Sequence, residues 1–66
     1  MRKSAPGSKI RIAVVDDHPM MRRGLTETLS EEADIELVGA GGSAQDAIRL
    51  ARKERPNLML LDITLP

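Results

Sequence analysis

Three short aliphatic runs, separated by two segments of helical period, set the architectures open to this 66-residue chain. The first run, Ile10-Arg11-Ile12-Ala13-Val14-Val15, is rich in β-branched residues, ends at Asp16-Asp17 and reads as a buried strand. Pro19 follows, suited to the first turn of a helix, and Met21, Leu25 and Leu29 then recur every four residues along one apolar stripe. Gly24 within that stripe costs about 1 kcal/mol against alanine, and close helix–sheet packing is its expected reason. A polar exit, Ser30 to Asp34, leads to a second strand over Ile35–Ala40 and a Gly41-Gly42 turn. Ser43 with Asp46 fits a capping box. Ala44, Ala47, Ile48 and Ala51 supply the next helical stripe, with Arg49, Arg52 and Lys53 on its far side. Lys53 and Arg55 suit the end of that helix, and Pro56 closes it. The third run, Leu58-Met59-Leu60-Leu61, again ends at an aspartate, Asp62.

Composition removes several alternatives. The chain has no Cys, Phe, Tyr or Trp, which excludes disulfides, thiolate zinc sites and aromatic stacking on nucleic-acid bases. The core must be aliphatic, and Met20, Met21 and Met59 are expected within it. Net charge is zero, yet residues 1–11 hold four bases and no acid, leaving six bases against ten acids beyond them. An acidic body of that kind does not suit a nucleic-acid surface. No apolar run is long enough to span a membrane, and the basic start leads into no signal-peptide core, so a cytoplasmic protein is expected. Residues 1–9, MRKSAPGSK, read as a flexible basic tail.

The order β1-α1-β2-α2-β3 with short connections implies a parallel sheet with right-handed crossovers. Opposed crossovers give strand order 2-1-3, with one helix on each face. Strands 1 and 3 then lie side by side at the point where the chain reverses, the usual ligand crevice of open α/β sheets. That arrangement brings Asp16, Asp17 and Asp62 to one sheet edge, with no Lys or Arg in the adjoining segments. A single aspartate at a strand end is most often a cap or a turn former. Three that converge repel one another and call for a cation. An all-oxygen set points to Mg²⁺ rather than zinc, and a carboxylate beside Mg²⁺ can serve as nucleophile in phosphoryl transfer. His18 lacks a second His or Cys partner and reads as a loop or cap residue rather than a ligand. Arg22-Arg23 reads as a solvated helix face. Gly39-Ala40-Gly41-Gly42 lacks the GK[ST] continuation of a phosphate-binding loop.

IRIAVVDDHPMMRRGLTETL, GGSAQDAIRLA and PNLMLLDITLP together resemble the start of a response-regulator receiver domain. The DDHP and LDITLP segments are most similar to the branch with a LuxR-type (NarL/FixJ-like) helix-turn-helix output. The resemblance covers Ile10 to Pro66 and implies the first part of a flavodoxin-like, doubly wound α/β fold of order 2-1-3. It implies that Asp62 accepts the phosphoryl group, that Asp17 binds Mg²⁺ directly and that Asp16 holds it through water. Thr64 would complete the metal site with its backbone carbonyl. The phosphoryl donor would be a partner histidine kinase or a small molecule such as acetyl phosphate, and the receiver would catalyse its own slow dephosphorylation.

Residues 10–66 correspond to a partial receiver, ending before strands 4 and 5. With them go the family's switch Ser/Thr, its phosphoryl-contacting Lys and the output domain through which DNA would be bound. The third strand, central in a complete receiver, is expected here as an apolar edge over residues 58–62. Such edges pair with other chains, so a homodimer through that edge is expected. The alternative is a truncated, non-switching fragment that acts only as an assembly or interaction unit. A Mg²⁺-dependent phosphohydrolase would want an aspartate two residues after the nucleophile, where Thr64 stands.

Overall fold

A computed structural model describes residues 9–64. The tail expected over residues 1–9 lies outside the described residues except for Lys9. The elements follow the expected order: β1 (Ile10–Asp16), α1 (Pro19–Ser30), β2 (Ile35–Gly41), α2 (Ala44–Glu54) and β3 (Leu58–Asp62). The sheet has order β2-β1-β3, and β1 pairs in parallel with both neighbours. In the β1–β3 ladder Ile12 stands beside Leu58 and Asp16 beside Asp62.

As the central strand, β1 is covered on both faces: Ile12, Ala13, Val14, Val15 and Asp16 are all buried. Ala13 and Val15 pack with Ala47 and Leu50 of α2, joined by Val38, Met59 and Ile63. Ile12 and Val14, of opposite parity, turn to the other face, and α1 packs along β1 and β2. The β1–β2 register shifts at Ile12/Ala13, where Leu37 is paired with Ile12 but Gly39 with Ala13. Val38 is thus an extra residue in the strand, a bulge. It joins the α2-side cluster, and Gly39 faces Leu50 so closely that a Cβ there would lie 2.4 Å from Leu50 Cδ2.

The face of α2 that carries Leu50 is the one turned to the sheet. Leu50 and Ala47 are its buried residues, whereas Ile48, expected in the stripe, is 54% exposed. The expectation for α1 needs the same correction. None of its residues is buried, Leu25 and Leu29 are half-buried, and Met20 and Met21 are exposed rather than in the core. Gly24 is exposed and a side chain there would meet open space, so close packing is not its reason.

The capping of α2 follows the sequence closely. Ser43 accepts from the Asp46 amide at 3.1 Å, and Asp46 Oδ2 accepts from the Gly42 amide at 2.9 Å. The Gly42 N–H, then Arg49, then Ser43 hold the Asp46 carboxyl below the ordinary carboxylate range. At the other end Arg55 is the C-cap in the left-handed region, with φ 49° and ψ 57°, a conformation that suits glycine. Arg11 binds this terminus from the sheet: its guanidinium donates to the Glu54 carbonyl and pairs with Glu54 Oε1 at 3.3 Å. Asn57 completes the joint, with its Oδ1 accepting from Arg11 N at 2.9 Å and its amide donating to Arg11 O at 2.8 Å.

Two substitutions test these assignments. Gly24→Ala removes glycine from an exposed helix interior, and Arg55→Gly places it at the left-handed cap. Each is expected to stabilise the chain by about 1 kcal/mol in urea unfolding. The Asp46 cap supplies the pH dependence. A carboxyl with a lowered folded-state pKa stabilises above its unfolded value of about 3.9, and the effect is lost as pH falls through the folded value. The destabilisation caused by Asp46→Ala is therefore expected to be larger at about pH 6 than at about pH 2, as read by thermal unfolding at both.

Candidate functional site

The C-terminal ends of β1 and β3 carry the three aspartates to one edge. Asp16 is in register with Asp62, and the Asp17 amide donates to the Asp62 carbonyl at 3.3 Å, fixing the step from β1 toward α1. The carboxylates differ in setting. Asp16 is 1% exposed, Asp17 half-buried and Asp62 exposed. Asp16 Oδ1 accepts from the His18 amide at 2.8 Å, an Asx-type turn that closes the two-residue link into α1.

Two of the carboxylate oxygens, Asp16 Oδ2 and Asp17 Oδ1, are buried and have no hydrogen-bond partner. Buried polar atoms are ordinarily paired, and an orphaned pair of anionic oxygens is what a hard divalent cation satisfies. The donor set therefore fits Mg²⁺. The Thr64 backbone amide donates to Asp17 Oδ2 at 2.9 Å, tying the segment after β3 to the acids.

Two residues have larger parts here than the sequence reading gave them. Arg22 is not a solvated residue: it is half-buried, and its Nη1 donates to the Asp16 carbonyl at 2.8 Å. The same nitrogen would lie 2.5 Å from a Cβ on Gly42, so the absence of a side chain there makes its room. Arg23, by contrast, does pair with Glu27 on the solvated face, at 3.1 Å. His18 occupies the N-cap of α1 without making a side-chain cap bond. Its ring instead turns to the acids, with Nδ1 at 3.1 Å from Asp16 Oδ1 and 2.9 Å from Asp17 Oδ1. The hydrogen bond to Asp16, followed by the charge of Asp17, raises the imidazole pKa above its ordinary value. Atoms of Asp16, His18 and Asp62 suited to ligation all lie within 4.8 Å of one another. The signal for His18 in the sequence was its place directly after two aspartates and before the helix-starting proline.

Sequence and fold are shared with known proteins. The response regulator receiver domain family matches residues 12–66. The response regulator protein VraR of Staphylococcus epidermidis is 45% identical over 56 residues, which make up 85% of this chain and 27% of that protein. Its counterpart in Staphylococcus aureus is 43% identical over the same shares. The signal receiver domain of the response regulator NarL from Mycobacterium tuberculosis superposes with a TM-score of 0.82 at 34% identity, over 89% of this chain and 48% of that one. The chain thus spans 27% of the length of the curated relatives it matches. With the parallel 2-1-3 sheet and the acids at its edge, that match over most of the sequence makes the chain a member of the response regulator receiver domain family.

Proposed function

We propose that the chain accepts a phosphoryl group on Asp62, with Asp16 and Asp17 holding a Mg²⁺ ion beside it. The observation that carries this reading is the pair of buried carboxylate oxygens without a hydrogen-bond partner, next to an exposed third carboxylate. Asp17 would bind the ion, with Asp16 and the Thr64 backbone carbonyl helping to hold it. When bound, the ion neutralises charge on the transferring phosphoryl oxygens.

An Asp62 carboxylate oxygen attacks phosphorus as the bond to the donor breaks. An acyl phosphate forms, and the leaving group departs as imidazole from a phosphohistidine or as acetate from acetyl phosphate. Exposure of Asp62 gives a donor access, and the Asp17 amide on its carbonyl holds the nucleophile in place. Water later attacks the acyl phosphate and returns Asp62 to the free acid. The partner in the cell is a histidine kinase. The protein of which this receiver is a part works in the cytoplasm, with a DNA-binding output domain that regulates transcription. Among the described residues no helix is long and apolar enough to cross a membrane.

We further propose that β3 pairs with a second copy of the chain. Among the described residues it pairs with β1 alone, and Leu58 and Leu61 are 49% and 60% exposed. Ala44, Ala47, Ile48, Leu61 and Ile63 line an open apolar groove of about 380 Å³ beside it, a surface that a dimer would cover.

Native mass spectrometry after incubation with Mg²⁺ and acetyl phosphate tests the phosphoacceptor. One phosphoryl adduct is expected on the wild-type chain and none on Asp62→Asn. Asp17→Asn is expected to slow adduct formation by on the order of 100-fold, because the ion contributes several kcal/mol of charge stabilisation. An adduct that persists in Asp62→Asn overturns the assignment. Light scattering tests the dimer: twice the chain mass is expected for the wild type and a smaller species for Leu61→Lys. A folded wild-type monomer at high concentration refutes it.

A further inference from the structure

One peptide unit joins the three acids, and both of its polar ends are engaged. The unit between Asp16 and Asp17 gives its N–H to the Asp62 carbonyl at 3.3 Å. Its own carbonyl oxygen, that of Asp16, accepts from Arg22 Nη1 at 2.8 Å. The β1–β2 ladder has its last pair at Val15 and Gly41. One residue beyond it, a side chain from α1 takes up the strand's carbonyl.

The Cα atoms at the two ends of this unit carry the carboxylates whose Asp16 Oδ2 and Asp17 Oδ1 lack a hydrogen-bond partner. A peptide group is planar, so a bond to its carbonyl fixes the direction of its N–H and the exit of both side chains together. Rotation of that plane would move the two carboxylates relative to Asp62 and loosen the bond to its carbonyl. A charged donor on one end also polarises the unit and strengthens the N–H at the other.

Gly42 makes room for the guanidinium. A Cβ there would lie 2.5 Å from Arg22 Nη1 and 3.6 Å from the Asp16 carbonyl oxygen. The backbone of Gly42 is outside the left-handed region, so its conformation does not call for glycine, whereas the half-buried Arg22 beside it does.

We propose that Arg22 is a positioning residue of the cation site, holding the Asp16–Asp17 peptide unit so that the acids at its two ends face one Mg²⁺ ion beside Asp62. The proposal rests on the reading that these acids bind Mg²⁺. Two effects of the guanidinium oppose each other. Its positive charge near the acids disfavours a second cation, whereas its hydrogen bond orders their backbone. Charge alone predicts tighter Mg²⁺ binding once Arg22 is removed, and positioning predicts weaker binding.

Mg²⁺ is titrated by calorimetry into the wild-type chain, Arg22→Ala, Arg22→Lys, Gly42→Ala and the chain with both alanine substitutions, and the Asp17 amide proton is followed by NMR. Arg22→Ala is expected to weaken Mg²⁺ binding by about tenfold or more, the ordinary cost of removing a partner outside the ligand set. Arg22→Lys keeps a cationic donor and is expected to recover most of the loss. Gly42→Ala displaces only the far end of a flexible side chain, so its unfolding temperature is expected to stay near that of the wild type while Mg²⁺ binding weakens. In the Arg22→Ala background the same substitution is expected to change affinity by less than about twofold, because the atom it displaces is gone. In both single alanine variants the Asp17 amide proton of the metal-free chain is expected to move upfield as its bond to Asp62 weakens.

Mg²⁺ binding that is unchanged or tighter in Arg22→Ala, or a Gly42→Ala loss that persists without Arg22, overturns the proposal. Should Arg22→Ala not fold, Gly42→Ala decides alone, and wild-type affinity or an unshifted Asp17 amide in that variant overturns it. A wild-type chain that binds no Mg²⁺ overturns both this role and the reading beneath it. Wild-type binding that the variants leave unchanged overturns only the role of Arg22.

Discussion

Asp16 ends a strand in which four consecutive aliphatic residues are fully covered, and it is covered with them. A buried carboxylate is costly unless its oxygens are met by donors or by a cation. Much of the surrounding structure answers that demand. The His18 amide and ring meet Oδ1, and the turn this enforces delivers Pro19 to the start of α1, while Arg22 secures the same residue through its backbone carbonyl. Oδ2 is left without a donor. The same strand that supplies the core therefore exports an unmet electrostatic demand to the edge where Asp17 and Asp62 stand, and core and site cannot be separated.

The two ends of the sheet are secured by different means. At the site end, the bonds run between carboxylates and backbone amides, including the long link from Thr64 to Asp17. At the opposite end, Arg11 and Asn57 join β1 to the close of α2 through backbone carbonyls and amides. The exposed Arg23–Glu27 pair, whose contribution in water is small, belongs to neither joint.

Element order, strand order and the meeting of the acids were legible from the sequence, because each rests on local pattern and on the handedness of parallel connections. Ile10–Val15 could hardly be anything but a central strand, and Asp62 had to end beside Asp16 once the order was 2-1-3. The rotation of α2 was not legible. Ile48 and Leu50 are both apolar, and it is Leu50 that packs over Gly39, a residue distant in sequence. The long cations were misread for a similar reason. Arg22 was placed with the solvated face, and Arg11 was counted among the basic residues of the chain's start. Their partners are backbone carbonyls, which leave no trace in residue type. Met20 and Met21 are apolar by composition, but the first turn of α1 leaves them 88% and 56% exposed. Arg55 in a left-handed cap was hidden because Pro56 alone accounted for the helix end.

The bulge at Val38 gives β2 a property that a regular strand lacks. Side chains in a strand alternate with strict period, so one inserted or deleted residue would ordinarily exchange the faces of everything beyond it. Here the alternation is already broken once, between Leu37 and Gly39. The half of β2 that follows α1 and the half that leads to the site are consequently out of phase and connected by a single spare residue. A change in the length of the loop after α1 can be absorbed at that point, before it reaches Gly41 and Gly42, where the Arg22 guanidinium rests. The strand behaves as a slip joint, isolating the geometry of the acids from variation at the far end of the sheet.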